Sequence, residues 1–143
     1  MNLRGHPVHV MLVHFPVALW PAHAALHGFS SRLPAGVAGV AGFWCLVAGT
    51  GLGWLAAGCG LVDLLGLQHE GDSGRLRDGL WHALLNGTVL IAYTGVLALE
   101  HPHYPVIAHG PGFLGLEVLL LIALGAGNYF GGAIVWRKAE PLS

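Results

Sequence analysis

Histidine is the residue type in this chain that is best suited to carrying protons and binding metal ions. Ten histidines occur, against six lysines and arginines together. An imidazole carries protons near neutral pH and ligates metal ions through its unprotonated nitrogen. His14 and His82 each lie between apolar residues, on two different apolar stretches. Because a polar ring is costly to bury without a partner, these two residues are the first candidates for holding a cofactor or a metal.

The overall composition places these histidines in a membrane protein. Charged residues make up 9% of the chain, hydrophobic residues 55%, and the mean hydropathy is +0.66. A soluble domain carries about 25% charged residues. So few charges cannot cover the surface of a soluble protein of this size, and six basic residues are too few for a nucleic-acid binder. The composition therefore excludes a soluble enzyme and a disordered chain, and it predicts an integral membrane protein in contact with the lipid bilayer.

Four apolar stretches are long enough to cross a bilayer, which takes about 20 residues. The predicted spans are residues 9–27, 35–62, 80–99 and 112–136, within one domain of residues 1–143. The connections between them are short, and short connections make neighbouring helices antiparallel. The sequence thus predicts an all-α, up-down four-helix membrane bundle.

Basic residues are distributed unevenly between the two membrane faces. We call the face that holds the N-terminus side X and the opposite face side Y. In the predicted topology, five of the six basic residues lie on side X and only Arg32 lies on side Y. Because basic residues are enriched in cytoplasmic loops, both termini are predicted to lie in the cytoplasm. A cleaved signal peptide is disfavoured, since His9 and His14 interrupt its would-be apolar core.

Polar residues from three spans are predicted to meet near side X. His14, Asp63 and His82 lie at a similar shallow depth from that side. On the third span, a turn of about 100° per residue places Asn86 on the same face as His82, and such a polar face should point into the bundle. Asp63 or Asn86 is expected to bind the ring nitrogen that does not ligate. His6 and His9 border the same region and are further candidate metal ligands: His9 with His82, or His6 in place of His14, is the second choice of ligand pair.

The leading hypothesis is a b-type haem. Two neutral imidazoles from different helices of a four-helix bundle can ligate one haem iron. The first and third spans run parallel, so His14 and His82 enter from the same side. Arg75 and Arg77, with Arg4, are expected to pair with the haem propionates. The expected function is electron transfer with a quinone pool or a redox partner protein, by an electron carrier rather than a self-contained enzyme.

Two alternatives remain open. His14, Asp63 and His82 form a His₂-carboxylate set that suits zinc, for hydrolysis inside the membrane or for metal transport. The other alternative is a structural membrane subunit of a redox complex or a homo-oligomer, in which the Gly49–Gly53 and Gly127–Gly131 pairs contact a neighbouring helix. A second haem toward side Y would need His23 or His27, although a single histidine near a membrane interface is usually solvated.

The opening of the chain also resembles a known family. Residues 6–16, HPVHVMLVHFP, resemble the signature HPxHxxxVHFP of a bacterial family of predicted four-span membrane proteins of unknown function. The resemblance continues through residues 60–63 (GLVD), His82 with Asn86, and residues 131–135 (GGAIV). Some relatives are joined to Rieske or c-type cytochrome domains, which implies respiratory redox chemistry in a bacterial inner membrane. The family often has an acidic residue in the first span, where this chain has His23.

Overall fold

The computed structural model describes residues 2–3, 6–34, 36–104 and 111–139. Asn2–Leu3 (β1) and His6–Pro7 (β2) form a short antiparallel pair that leads into the first helix. The helices are Val8–Gly28 (α1), Val37–Glu70 (α2), Ser73–Glu100 (α3) and Pro111–Ala139 (α4). Single 3-10 turns at Ser30–Arg32 and His101–His103 follow α1 and α3. Arg4 and the side chain of His6 lie outside the described part, so the roles predicted for them stay predictions.

All four helices are long and apolar enough to cross a membrane. The predicted all-α four-helix membrane fold is therefore confirmed. Large apolar side chains such as Ile91, Leu119 and Ile122 are more than 60% exposed on the outside of the bundle, as lipid contact requires.

The second connection is much shorter than the sequence predicted. The predicted spans 35–62 and 80–99 leave residues 63–79 as their connection, but only Gly71 and Asp72 separate α2 from α3. Gly71 ends α2 in the left-handed region at φ 75°, which glycine adopts without strain. The Asp72 carboxylate accepts hydrogen bonds from the backbone of Gly74 and Arg75, both at 3.0 Å, and so caps α3. The charged residues between the two apolar spans therefore lie on helical extensions of α2 and α3.

The helix order around the bundle sets which residues meet at its centre. α1 packs against α2 and α4, and α3 packs against the same two helices. α1 and α3 therefore lie diagonally opposite each other and run parallel. Three pairs of side chains meet across this diagonal, from side X to side Y: His9 with His82, Trp20 with Tyr93, and His23 with Glu100.

The middle pair closes the centre of the bundle. The Trp20 and Tyr93 rings are stacked with centroids 4.5 Å apart and planes 8° apart. Both residues are buried, and Leu46, Val89 and Leu90 pack in the same core. This aromatic and aliphatic layer separates the polar residues near side X from those near side Y.

The Gly49–Gly53 pair accommodates the Trp20 indole. A Cβ atom on Gly49 would lie 3.0 Å from the indole, and one on Gly53 would lie 3.0 Å from a Leu90 methyl group. On α2, these small residues thus permit close packing within the bundle.

Replacing Gly49 with valine is expected to destabilise the fold. Overpacking of this kind costs about 1–3 kcal/mol. Unfolding by a denaturing detergent, followed by circular dichroism, measures the free-energy change. Gly51→Val is the matched control, because a Cβ on Gly51 has no neighbour within 4 Å. Equal stability of the two variants would show that the indole does not need this glycine.

Candidate functional site

Two histidines face each other across the bundle near side X. The rings of His9 and His82 have centroids 5.9 Å apart and planes at 87°. His9 donates from Nδ1 to the Ala56 carbonyl at 2.8 Å, and His82 donates from Nδ1 to the Gly127 carbonyl at 2.9 Å. A carbonyl oxygen only accepts, so each ring carries its proton on Nδ1. In the neutral rings, each Nε2 therefore keeps the lone pair that ligates a metal.

Glycines on the two neighbouring helices make room for these rings. A Cβ on Gly60 of α2 would lie 2.7 Å from the His9 ring, and a Cβ on Gly131 of α4 would lie 2.7 Å from the His82 ring. A Cβ on Gly127 would meet the Asn86 amide at the same distance. Gly127 and Gly131 thus let the backbone of α4 approach His82 and Asn86 closely inside the bundle.

Gly131→Ala is expected to displace His82. No side chain is tolerated at 2.7 Å from the ring, and the ring is held by the Gly127 carbonyl. Strain of about 1–3 kcal/mol corresponds to a loss of about 5-fold to 150-fold in affinity for a ligand held by His82. Gly132→Ala is the matched control, since its Cβ would meet nothing within 4 Å. Isothermal titration with haem measures both affinities, and equal values would contradict the assigned role of Gly131.

His14, the first-span ligand expected from the sequence, is not brought together with His82. α1 is continuous through Pro16 and Pro21, so the regular turn puts His14 about 140° around the helix from His9. The His14 side chain is exposed, and its Nδ1 donates to the Val10 carbonyl at 2.6 Å within the same helix. The residue of α1 that faces His82 is His9.

The other predicted site residues lie around this pair. Asn86 lies next to His82, but the atom 3.0 Å from His82 Nδ1 is the amide nitrogen Nδ2, which donates and does not accept. Asp63 is half-buried one helical turn beyond Gly60. Backbone carbonyls contact Nδ1 of His9 and of His82. Arg75 and Arg77 lie on α3 about 10 Å and 8 Å from His82 toward side X. The Arg77 guanidinium is exposed and lies 3.5 Å from Asp78 Oδ1.

The residues that the structure describes do not assemble the expected zinc ligands. No group of three or more His, Cys, Asp or Glu side chains suited to a metal ion occurs among them. A zinc ion takes at least three protein ligands. His14, Asp63 and His82 are therefore not gathered into one ligand set.

A second polar cluster lies near side Y, and we call His23, His27, Glu100 and Glu117 the side Y cluster. His23 Nε2 is 2.8 Å from Glu117 Oε1, and His27 Nδ1 is 2.6 Å from Glu117 Oε2. His23 Nε2 is also 3.7 Å from Glu100 Oε1, and its Nδ1 donates to the Gly42 carbonyl at 3.0 Å. All four side chains are buried, and Glu117 is 0% exposed.

Sequence reasoning placed His23, His27 and Glu117 near side Y, but it missed their direct contacts because it weighed each histidine singly. Two signals pointed to these contacts. Glu117 is the one charge within the predicted fourth span, and His23 and His27 share a face of the first span. A buried acid on one helix and two histidines on one face of another indicate an ion pair.

Comparison with known proteins identifies the chain at the level of its family. No curated protein and no solved structure matches it. The family model described as "Predicted membrane protein (DUF2231)" matches residues 5–139, which is nearly the whole chain. The protein therefore belongs to this family of predicted membrane proteins.

Proposed function

We propose that this protein is a b-type haem protein of the bacterial inner membrane that holds haem iron between His9 and His82. The observation that carries the proposal is the geometry of the two rings. His9 and His82 would hold the iron through their Nε2 atoms, which keep a lone pair in the neutral rings. The observed separation of the ring centroids is 5.9 Å, and both rings have their Nδ1 atoms held by backbone carbonyls.

The number of available ligands favours haem over zinc. Haem needs only two axial side chains because the porphyrin supplies the other four nitrogens. His9 and His82 provide two, and no third ligand joins them among the described side chains. The same pair therefore suits a haem iron better than a tetrahedral zinc ion.

The residues around the pair would orient and tune the ligands. The Ala56 and Gly127 carbonyls fix the tautomer of each ring, and a hydrogen bond at Nδ1 raises the basicity of Nε2. The His9 and His82 rings pack directly against the backbone of Gly60 and Gly131, where a side chain would displace them. Arg75 and Arg77 put positive charge toward side X, where propionates would be paired.

Haem bound at this position supplies one-electron transfer. Its place within the bilayer makes a quinone pool or a membrane-bound redox protein the natural electron partner. In this proposal both chain termini lie in the cytoplasm, because most basic residues lie on side X.

Titration of the purified, cofactor-free protein tests the proposal. We expect haem to bind at one equivalent per chain and to raise the melting temperature, because the unfolded chain lacks the paired ligands. Zinc is titrated in parallel. Saturable zinc binding without saturable haem binding would support the zinc alternative. Binding of neither would leave a structural subunit as the better description.

A further inference from the structure

We propose that the side Y cluster is a proton-binding site that exchanges its proton with side Y. The proposal does not depend on haem, because the cluster shares no residue with the His9–His82 pair. It rests on the arrangement of donors and acceptors around His23 and Glu117, on their burial, and on the hydroxyl group of Tyr93.

The contact between His23 and Glu117 requires a proton between two acceptor atoms. His23 uses the hydrogen on Nδ1 to donate to the Gly42 carbonyl. In the neutral ring, Nε2 would then present a lone pair to Glu117 Oε1 at 2.8 Å, and a carboxylate oxygen also presents lone pairs. The contact is attractive only when one proton lies on either atom. The cluster therefore holds this proton whether it is described as an imidazolium or as a carboxylic acid.

His27 and Glu100 allow the protons of the cluster to be distributed over its four groups in more than one way. His27 Nδ1 contacts Glu117 Oε2 at 2.6 Å, and Glu100 Oε1 is 3.7 Å from His23 Nε2. In a low-dielectric interior a net charge is costly. With both glutamates ionised, the cluster is neutral only when both histidines are protonated. The cluster is also neutral, with fewer charged groups, when a glutamate takes a proton from one of the two histidines. These four groups therefore share their protons.

Tyr93 supplies a second observation that points to this site. Its side chain is 0% exposed, and its hydroxyl group has no hydrogen-bond partner among the described residues. The Tyr93 ring stacks on Trp20, which lies about one helical turn from His23 on α1. An unpartnered buried hydroxyl group usually marks a bound water or a functional role.

The position of the cluster determines the membrane face with which it exchanges. The stacked Trp20 and Tyr93 rings, with Leu46 and Val89, close the bundle toward side X. On the other side, His27 lies one residue before the end of α1, beside Phe113 at 6.0 Å between ring centroids. The exposed His101 and His103 follow directly after α3 on side Y. Protons therefore reach the cluster past His27.

Nuclear magnetic resonance of the full chain in lipid nanodiscs, with ¹⁵N-labelled histidine rings, tests the site. We expect the Nε2 proton of His23 to exchange with water at least tenfold more slowly than the ring protons of His69 and His103. We also expect the His23 and His27 signals to change together as the pH is varied. Glu117→Gln should leave Nε2 of His23 unprotonated near neutral pH, so that its ¹⁵N–¹H signal is lost, and it should uncouple the two histidine signals, because the carboxylate that shares the proton is gone.

The controls separate this role from a purely structural one. His103→Gln, an exposed residue near the same membrane face, should change neither signal. If Glu117→Gln does not fold, His23→Gln serves in its place and should end the coupled response of His27. Independent titration of His23, unchanged by Glu117→Gln, would overturn the proposal. So would one divalent metal ion per purified chain that is lost in Glu117→Gln.

Discussion

His9→Ala and His82→Ala are each expected to reduce haem content to less than a tenth of that of the unmodified protein. Each variant removes one of the two imidazoles that face each other at 5.9 Å, and neither ring has a neighbouring histidine that can replace it among the described side chains. A haem with one axial protein ligand is bound more weakly and changes its spin state. Haem-to-protein ratio after purification, with haem supplied during expression, measures the effect.

His14→Ala is the matched control for this prediction. His14 lies on the same helix five residues from His9, and its side chain is exposed on the outer surface. Its hydrogen bond goes to the Val10 carbonyl of its own helix. We therefore expect full haem content. If His14→Ala lost haem as completely as His82→Ala, the assignment of His9 as the first-helix ligand would be wrong.

Glu117→Leu is expected to lower the free energy of unfolding by about 3–5 kcal/mol, the usual cost of removing one partner from a buried ion pair. The carboxylate is completely buried and contacts two histidine rings. Its removal leaves the His23 Nε2 atom in an apolar interior without its acceptor. Reversible unfolding in mixed micelles, as a function of denaturing detergent, measures the change.

A double-mutant cycle identifies the cause of that loss. His23→Leu combined with Glu117→Leu removes both partners, so the double variant should be less destabilised than the sum of the two single variants by about 0.5–3 kcal/mol. Glu117→Gln, which keeps the size and one acceptor oxygen, should cost less than Glu117→Leu. Additive effects of the two leucine substitutions would contradict a direct interaction between His23 and Glu117.

The fold was predictable because a bilayer imposes strict requirements on composition and length. Uninterrupted apolar stretches identified all four spans, and the polar stripe through His82, Asn86 and Tyr93 gave the inward face of α3. The extension of α2 to Glu70 was missed, since hydropathy reports where lipid ends and not where a helix ends. The turn itself had local signals, a glycine that favours φ above zero and an aspartate cap.

The candidate site was predictable in part. The depth of the histidines correctly pointed to a polar layer near side X, but depth alone did not distinguish His9 from His14. The helical angle does distinguish them, because α1 stays regular through Pro16 and Pro21 and turns His14 outward. The side Y cluster needed tertiary information, since Glu117 and His27 are 90 residues apart in the sequence.

The visible absorption spectrum of the purified protein, oxidised and then reduced with dithionite, is the most direct test of haem binding by His9 and His82. With haem supplied during expression, we expect a sharp Soret band and narrow α and β bands on reduction, the features of low-spin iron with two strong axial ligands. A colourless protein despite ample haem would contradict the claim. A broad spectrum of high-spin iron would contradict ligation by both imidazoles.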